Sequence, residues 1–264
     1  MSVLRVATFN LLHGQSLRDG SVEPALLADA ARRLGADLVG LQEVDRHQPR
    51  SGLVDQTEVV AAALGAAHWR FVPSLHGTPG HGDPWTASEL DDGDGSEGPT
   101  YGIGLVSRFP VRSWAVRRFA AAPISLPLVV AGAPRPRIMR VRDEPRLALA
   151  AVVEGPAGPF TAVTAHLSFV PGYNARQLRA IASWASTMPE PVLLFGDFNL
   201  PAALPRWLTG WMSLAQAATY PSARPRVQFD HLLARGLAAD RVRAEHVLAL
   251  PVSDHCALAV DLEL

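Results

Sequence analysis

VLLFGDFN, residues Val192–Asn199, is an apolar run of strand length that breaks at Gly196 and ends in two polar groups, Asp197 and Asn199. A short, nearly continuous apolar stretch closed by a glycine reads as a strand buried on both faces. Five other stretches share this arrangement. RVATFNLLHG (5–14) reaches Asn10, DLVGLQEVD (37–45) reaches Glu43, and FTAVTAHLS (160–168) reaches His166. VQFDHLLA (227–234) carries Asp230, and PVSDHCALAVDL (251–262) carries Asp254 and His255. Strand ends of layered folds gather at one rim, so residues far apart in sequence can converge there. Singly, each has an ordinary explanation: a turn at Gly196-Asp197, an Asx turn at SDH, a satisfied core histidine in AHL. Together they supply four acids, two amides and two histidines in a common setting, which unrelated turns have no reason to do.

Working outward, strands are expected at Val3–Phe9, Asp37–Val44, Trp69–Pro73, Tyr101–Ser107, Val111–Val116, Arg146–Val153, Phe160–Leu167, Val192–Gly196, Val227–Ala234, Arg241–Ala249 and Cys256–Leu262. Helices are fewer. One opens at Pro24, carries Leu26, Leu27, Ala30, Ala31 and Leu34 as its apolar stripe, and stops at Gly35. A second starts at Asp55 with Glu58 as a capping-box partner. A third spans roughly Asn174–Thr187 with Leu178, Ile181, Ala182 and Ala185 inward, and a short stretch follows Pro201. Too many strands lack an intervening helix for a doubly wound sheet. Two packed sheets with helices outside would bury both the apolar strands and the helix stripes.

The chain has 264 residues, 48% hydrophobic and 19% charged, which suits one large domain and excludes general disorder. No apolar run approaches the ~20 residues of a membrane span. MSVLRVATFN reads as a first strand, not a leader. The single cysteine, Cys256, excludes an internal disulfide framework and a multi-cysteine zinc site. The expectation is a cytoplasmic protein. A formal charge of −1 argues against tight, sequence-blind binding to duplex DNA. All 24 basic residues are arginine, so lysine Schiff-base chemistry and a P-loop lysine are excluded.

Charge is nevertheless unevenly spread. Residues 75–99 are rich in Gly, Asp and Pro, with six acids and no arginine in Asp83–Glu97, and read as a mobile surface insertion in a single domain of residues 1–264. His76, His81 and Asp83 only imitate a metal site. Nine arginines against Asp143 and Glu144 give Tyr101–Arg146 a local balance of 9 − 2 = +7, which suits either a phosphate-bearing substrate or solvated strand faces.

TFN, LQE, AHL, GDFN, FDH and SDH, in that order, resemble the endonuclease/exonuclease/phosphatase superfamily from Thr8 to His255. The resemblance implies an α/β fold, a four-layered α/β/β/α sandwich of two packed mixed sheets flanked by helices. It implies phosphoester hydrolysis with Mg2+, or sometimes Mn2+. Carried over by position, Glu43 is the principal metal ligand, Asn10 an amide at the metal, and Asp254 a supporting carboxylate. Asp197 orients or deprotonates the attacking water, Asn199 helps fix it, His255 binds the scissile phosphate, and Asp230 charges that imidazole. His166 contacts the phosphate or assists the leaving group; Arg146 and Tyr101 are substrate-binding candidates. Whether Asp197 or His255 is the base stays open. The set makes chemical sense, because a metal and a donor histidine offset phosphate charge while a carboxylate activates water.

Two departures bear on substrate. Where the abasic-site endonuclease branch carries a tyrosine motif, this chain has AHLS (165–168), and Leu12 stands where that branch often has an acid. The expectation is therefore a phosphodiesterase or nuclease acting on a small phosphodiester, a lipid head group or a short single strand. Two alternatives stay open: a non-catalytic phosphate-binding module, and a lipid head-group phosphodiesterase or phosphatase touching membranes through Trp85 or Leu126–Val130, although both stretches read more simply as packing or loop. Oligomeric state is not legible.

Overall fold

The computed structural model describes residues 3–79, 85–89, 98–130 and 137–264. In chain order the first half contains β1 (Val3–Asn10), α1 (Pro24–Leu34), β2 (Leu38–Arg46), α2 (Gln56–Leu64), β3 (His68–His76), β4 (Thr86–Ala87), β5 (Thr100–Ser107) and β6 (Val111–Phe119). There follow β7 (Ser125–Val130), β8 (Arg137–Arg142), β9 (Arg146–Gly155), β10 (Gly158–His166), α3 (Tyr173–Ala185) and β11 (Val192–Asp197). The chain finishes with α4 (Leu204–Thr209), β12 (Met212–Ser213), β13 (Asp230–Arg235), β14 (Val242–Leu248) and β15 (Ala257–Glu263).

The strands form a seven-stranded sheet ordered β14-β15-β1-β2-β5-β3-β4 and a six-stranded sheet ordered β12-β13-β11-β10-β9-β6. Each is mixed: β1 with β2 and β10 with β11 are parallel, and the neighbours of these pairs run antiparallel. Side-chain alternation decides the layering. From β1, Leu4 and Val6 enter the core between the sheets, while Ala7 and Phe9 face the α1/α2 layer. From β11, Leu193 and Phe195 face the other sheet, while Val192 and Leu194 pack under α3. The result is the four-layered α/β/β/α sandwich expected from strand count and resemblance.

The expected strands and helices are present with small shifts at their ends. In α1 Leu27, Ala30, Ala31 and Leu34 are buried, and Gly35 closes it. Asp55 caps α2 by accepting from the Thr57 and Glu58 backbone N–H groups. Four strands were not expected: β4, β12 and the pair β7–β8. Leu126–Val130 belongs to β7, which pairs with β8 as a separate two-stranded arm outside both sheets. The segment 75–99 does not start as a loop, because Leu75 and His76 finish β3 and pair with β4. His81, Asp83 and most of the acidic stretch lie outside the described residues.

Two glycines are demanded by close approach. A Cβ on Gly40 would lie 2.3 Å from Thr164 Oγ1, where β2 crosses β10. Beside it a buried polar link joins the sheets: Thr8 Oγ1 donates to Gln42 Oε1 at 3.1 Å, and Gln42 Nε2 donates to Thr164 Oγ1 at 3.0 Å. Gly196 has φ +148°, and a Cβ there would collide with the Ala165 carbonyl, so the glycine of GDFN lets β11 run against β10 up to the rim.

Candidate active site

β1, β2, β10 and β11 bring Asn10, Glu43, His166 and Asp197 to one rim of the sandwich, joined there by the SDH turn before β15. Glu43 is aimed by an irregularity: pairing of β2 with β5 shifts register between Leu41 and Val44, and Glu43 takes φ +55°. Such a bulge turns a side chain out of the regular alternation. Asn10, 1% exposed, then connects the two sheets. Its Nδ2 donates to Glu43 Oε1 and to Asp197 Oδ2, each at 3.0 Å, and its Oδ1 accepts from the Leu12 N–H. The Ser253 hydroxyl donates to the Asn10 carbonyl and accepts from the His255 N–H, which locks the SDH turn onto β1.

Asp197 sits between two imidazoles. His166 Nε2 lies 3.7 Å and His255 Nε2 3.8 Å from its Oδ2, while Oδ1 accepts from the Asn199 N–H. Burial pushes the Asp197 carboxyl up to about 7, against the pull of nearby His255. The histidines behave oppositely. Burial disfavours charge on His255, but Asp230 accepts from its Nδ1 at 2.8 Å and, with Asp197 and Asp254, raises it to about 10. His255 is thus held as imidazolium. Burial pushes His166 well below the ordinary histidine range, and the Arg146 guanidinium adds to this, with Nη1 3.1 and 3.3 Å from the two ring nitrogens. His166 is held neutral.

Asp230 Oδ2 also accepts from the Thr219 hydroxyl, and its Oδ1 is buried without a hydrogen-bond partner. The Tyr220 ring lies against His255, centroids 4.9 Å apart. Asp254 is pushed up to about 6, first by burial and then by Glu43 and Asp230, with His255 opposing. Tyr101, 6% exposed, lines a small cavity with Ser74, Arg146 and His166. Burial raises its phenol well above the usual range, and the charges of Glu43 and Glu144 raise it further. Asn199 is set back: its Nδ2 donates to the Leu167 carbonyl and holds the end of β10 to the GDFN turn.

Several residues at the site had no legible signal. Thr219 and Tyr220 arrive from a loop. Glu144, whose carboxyl is raised first by burial and further by the charge of Glu43, carries no signal of its own beside Arg146. His231, next to Asp230, points elsewhere: its Nε2 contacts the Leu200 carbonyl at 2.7 Å, its ring stacks on Phe198, and burial lowers it to about 4. The arginines of Tyr101–Arg146 disperse. Arg108 pairs with Asp37, Arg112 with Glu154, and Arg118 donates to the Pro73 carbonyl. Arg142 lies over Trp85, while Arg146 reaches the rim.

Hard oxygen donors crowd this rim, and Asp197, Asp230 and His255 form a buried group whose donor atoms lie within 4.8 Å of one another. The Endonuclease/Exonuclease/phosphatase family model matches residues 7–255, a span that contains every one of these groups. The chain belongs to that family. Its members are hydrolases of phosphoester bonds. Similar solved structures agree in fold. An endonuclease/exonuclease/phosphatase from Beutenbergia cavernae is 23% identical, with a TM-score of 0.67, over 100% of this chain and 72% of that one. A mannosyl-6-phosphatase from Bacteroides thetaiotaomicron is 15% identical, with a TM-score of 0.65, over 99% of this chain and 100% of that one. Sphingomyelinase C from Streptomyces griseocarneus is 15% identical, with a TM-score of 0.54, over 100% of each chain. No curated protein gives a significant match. Among the described residues no helix is long and apolar enough to cross a membrane.

Proposed function

We propose that this family member, acting as a single domain over residues 1–264, is a divalent-metal-dependent hydrolase of small phosphodiesters. The observation that carries the reading is the Asn10 amide, which joins Glu43 of one sheet to Asp197 of the other, with two imidazoles near the same Asp197 oxygen. Glu43 and Asp254 are hard donors beside Asn10, whose Oδ1 accepts from the Leu12 N–H, and the Asp254 carboxyl, raised first by burial and then by the charges of Glu43 and Asp230, is one that a nearby cation would return to its charged form. These residues suit Mg2+ or Mn2+. A bound ion supplies Lewis-acid charge at a phosphoryl oxygen. His255 is a poor metal ligand here, because its Nδ1–H donates to Asp230, which keeps the ring protonated.

The chain's own groups divide the remaining work. Asp197 orients a water and accepts its proton; its raised affinity for protons suits a general base. His255, charged, donates from Nε2 to a phosphate oxygen, with Asp230 and Thr219 fixing the ring. Neutral His166 and cationic Arg146 meet the phosphate from the opposite side, and Tyr101 walls that side. Asn199 keeps the Asp197 turn in place. A near-neutral chain whose arginines are largely paired or scattered has little means of gripping a long duplex, and one phosphate needs only Arg146 and His255. The buried free cysteine agrees with a cytoplasmic setting.

The test is a hydrolysis screen with Mg2+, Mn2+ and EDTA across bis(p-nitrophenyl) phosphate, single-stranded DNA, RNA, sphingomyelin, phosphoinositides, a sugar phosphomonoester and duplex DNA. The expected result is metal-dependent turnover of short diesters. Activity undiminished by EDTA, or duplex DNA cut tenfold faster than every short substrate, would overturn it.

A further inference from the structure

Asp143 lies between β8 and β9, in the DEPR stretch whose Arg146 reaches the rim, and is fully buried. Its Oδ2 accepts two hydrogen bonds, from the Ala122 N–H at 2.7 Å and from Ser168 Oγ at 2.8 Å. Its Oδ1 has no hydrogen-bond partner but faces Arg146 Nη2 at 3.6 Å. The three neighbours belong to three places. Ala122 stands at the entry to the β7–β8 arm, so its bond to Asp143 closes the arm at its base. Ser168 comes two residues after His166, and its hydroxyl also accepts from the Val170 N–H. Arg146 begins β9 and touches both ring nitrogens of His166.

Closing the arm and fixing the AHLS turn would need only acceptors, which a neutral amide or a carbonyl provides. A buried carboxylate is costly, and an oxygen left without a hydrogen bond is costlier still unless a cation faces it. Here the cation is Arg146, whose Nε lacks a hydrogen-bond partner: its Nη2 faces the two carboxylates, and its Nη1 contacts His166. Glu144, at 3.8 Å, is the second of these, but it approaches from the rim, whereas Asp143 is anchored from behind by two elements.

We propose that Asp143 is a positioning residue that sets Arg146 against His166, tying the base of the β7–β8 arm and the AHLS turn to the placement of that guanidinium. This rests on the proposed reading of Arg146 and His166 as groups that meet the phosphate. The experiment is a double-mutant cycle of Asp143→Asn and Arg146→Ala, followed by kcat and KM on bis(p-nitrophenyl) phosphate with Mn2+, thermal midpoints, and NMR of the His166 ring, assigned with a His166→Gln control.

Asp143→Asn should lower kcat by about ten- to a hundredfold, the range for a slightly misplaced catalytic group, with KM within about twofold. It should shift the His166 ring resonances. In the Arg146→Ala background it should do neither, because the group it places is gone. Independent, multiplying losses, or an unmoved His166 ring in the single variant, would overturn the proposal. Should Asp143→Asn not fold, Ser168→Ala removes one anchor and leaves the charge. It should shift the His166 ring only when Arg146 is present, and an equal shift without Arg146 overturns the proposal. Should the wild type hydrolyse nothing, the functional reading falls, while the ring resonances still decide what Asp143 does.

Discussion

Two clusters of aspartate and histidine, built from the same residue types, behave in opposite ways. At the outer edge of the seven-stranded sheet Arg5 donates to both oxygens of Asp261, at 2.8 and 3.1 Å, and His246 Nε2 lies 2.8 Å from Asp261 Oδ2. Both carboxylate oxygens have partners, and these bonds, Arg5 first, pull Asp261 down to about 2. At the rim Asp230, His255 and Asp197 are buried, Asp230 Oδ1 has no partner, Asp197 is pushed up, and His255 is held charged. The edge cluster has reached a satisfied ion pair. The rim cluster carries competing charges that burial prevents water from relaxing, and groups so poised are suited to move protons. Depth and satisfaction, not composition, separate the two.

The comparison breaks most visibly through turnover. Asp197→Asn and His255→Ala should each lower kcat by about two to four orders of magnitude, the range for losing a general base or a charge stabiliser. In the double variant the losses should fall well short of multiplying, because both groups serve one transition state. Steady-state kinetics of the three variants checks this; multiplied losses would place the residues in separate steps.

Metal affinity is next. Glu43→Gln should weaken Mn2+ binding by on the order of a hundredfold in calorimetric titration, since it removes the anionic donor beside Asn10. Its thermal midpoint should stay near that of the wild type, because Glu43 is a rim group outside the three apolar cores. Unchanged titration would move the metal elsewhere, with the Asp197, Asp230 and His255 group as the next place to look.

The edge cluster should yield the smallest effects. Asp261→Asn should cost below about 1 kcal/mol at neutral pH, as part-exposed ion pairs do, with kcat unchanged. Its pH dependence has a definite sign. A carboxyl depressed from 3.8 to about 2 stabilises the folded chain above its ordinary value, and that contribution fades as pH falls from about 4 to about 2. Denaturant titrations across this window should therefore show the wild type and Asp261→Asn converging toward the acid end. Divergence there would show that Arg5 and His246 do not stabilise the charged form.

Much of this was legible before any coordinates. The continuous apolar run of VLLFGD, the Pro24–Gly35 helix stripe and the Asp55 cap are local signals, set by neighbours within a few residues. The strand-end residues Asn10, Glu43, His166, Asp197 and His255 were each legible for the same reason. The β7–β8 arm was not, because an apolar SLPLVV preceding an arginine-rich strand is neither an alternating surface strand nor a core one.

What the sequence by itself determined is which chemical groups stand at the ends of which strands, since hydrophobic period, caps and glycines act through neighbouring residues. What only the tertiary structure decided is which of those groups meet. Asn10 and Asp197 are 187 residues apart, and the bond between them exists because the two sheets approach closely at Gly40 while Gly196 lets β11 run against β10 up to the rim. His231 and His255 are equally polar in sequence, yet one is pressed neutral against Phe198 and the other is charged by Asp230. Asp143 reads as a loop acid until folding surrounds it with Ala122, Ser168 and Arg146. Burial and partners at long sequence separation set the protonation and aim of each group, and no local pattern encodes either.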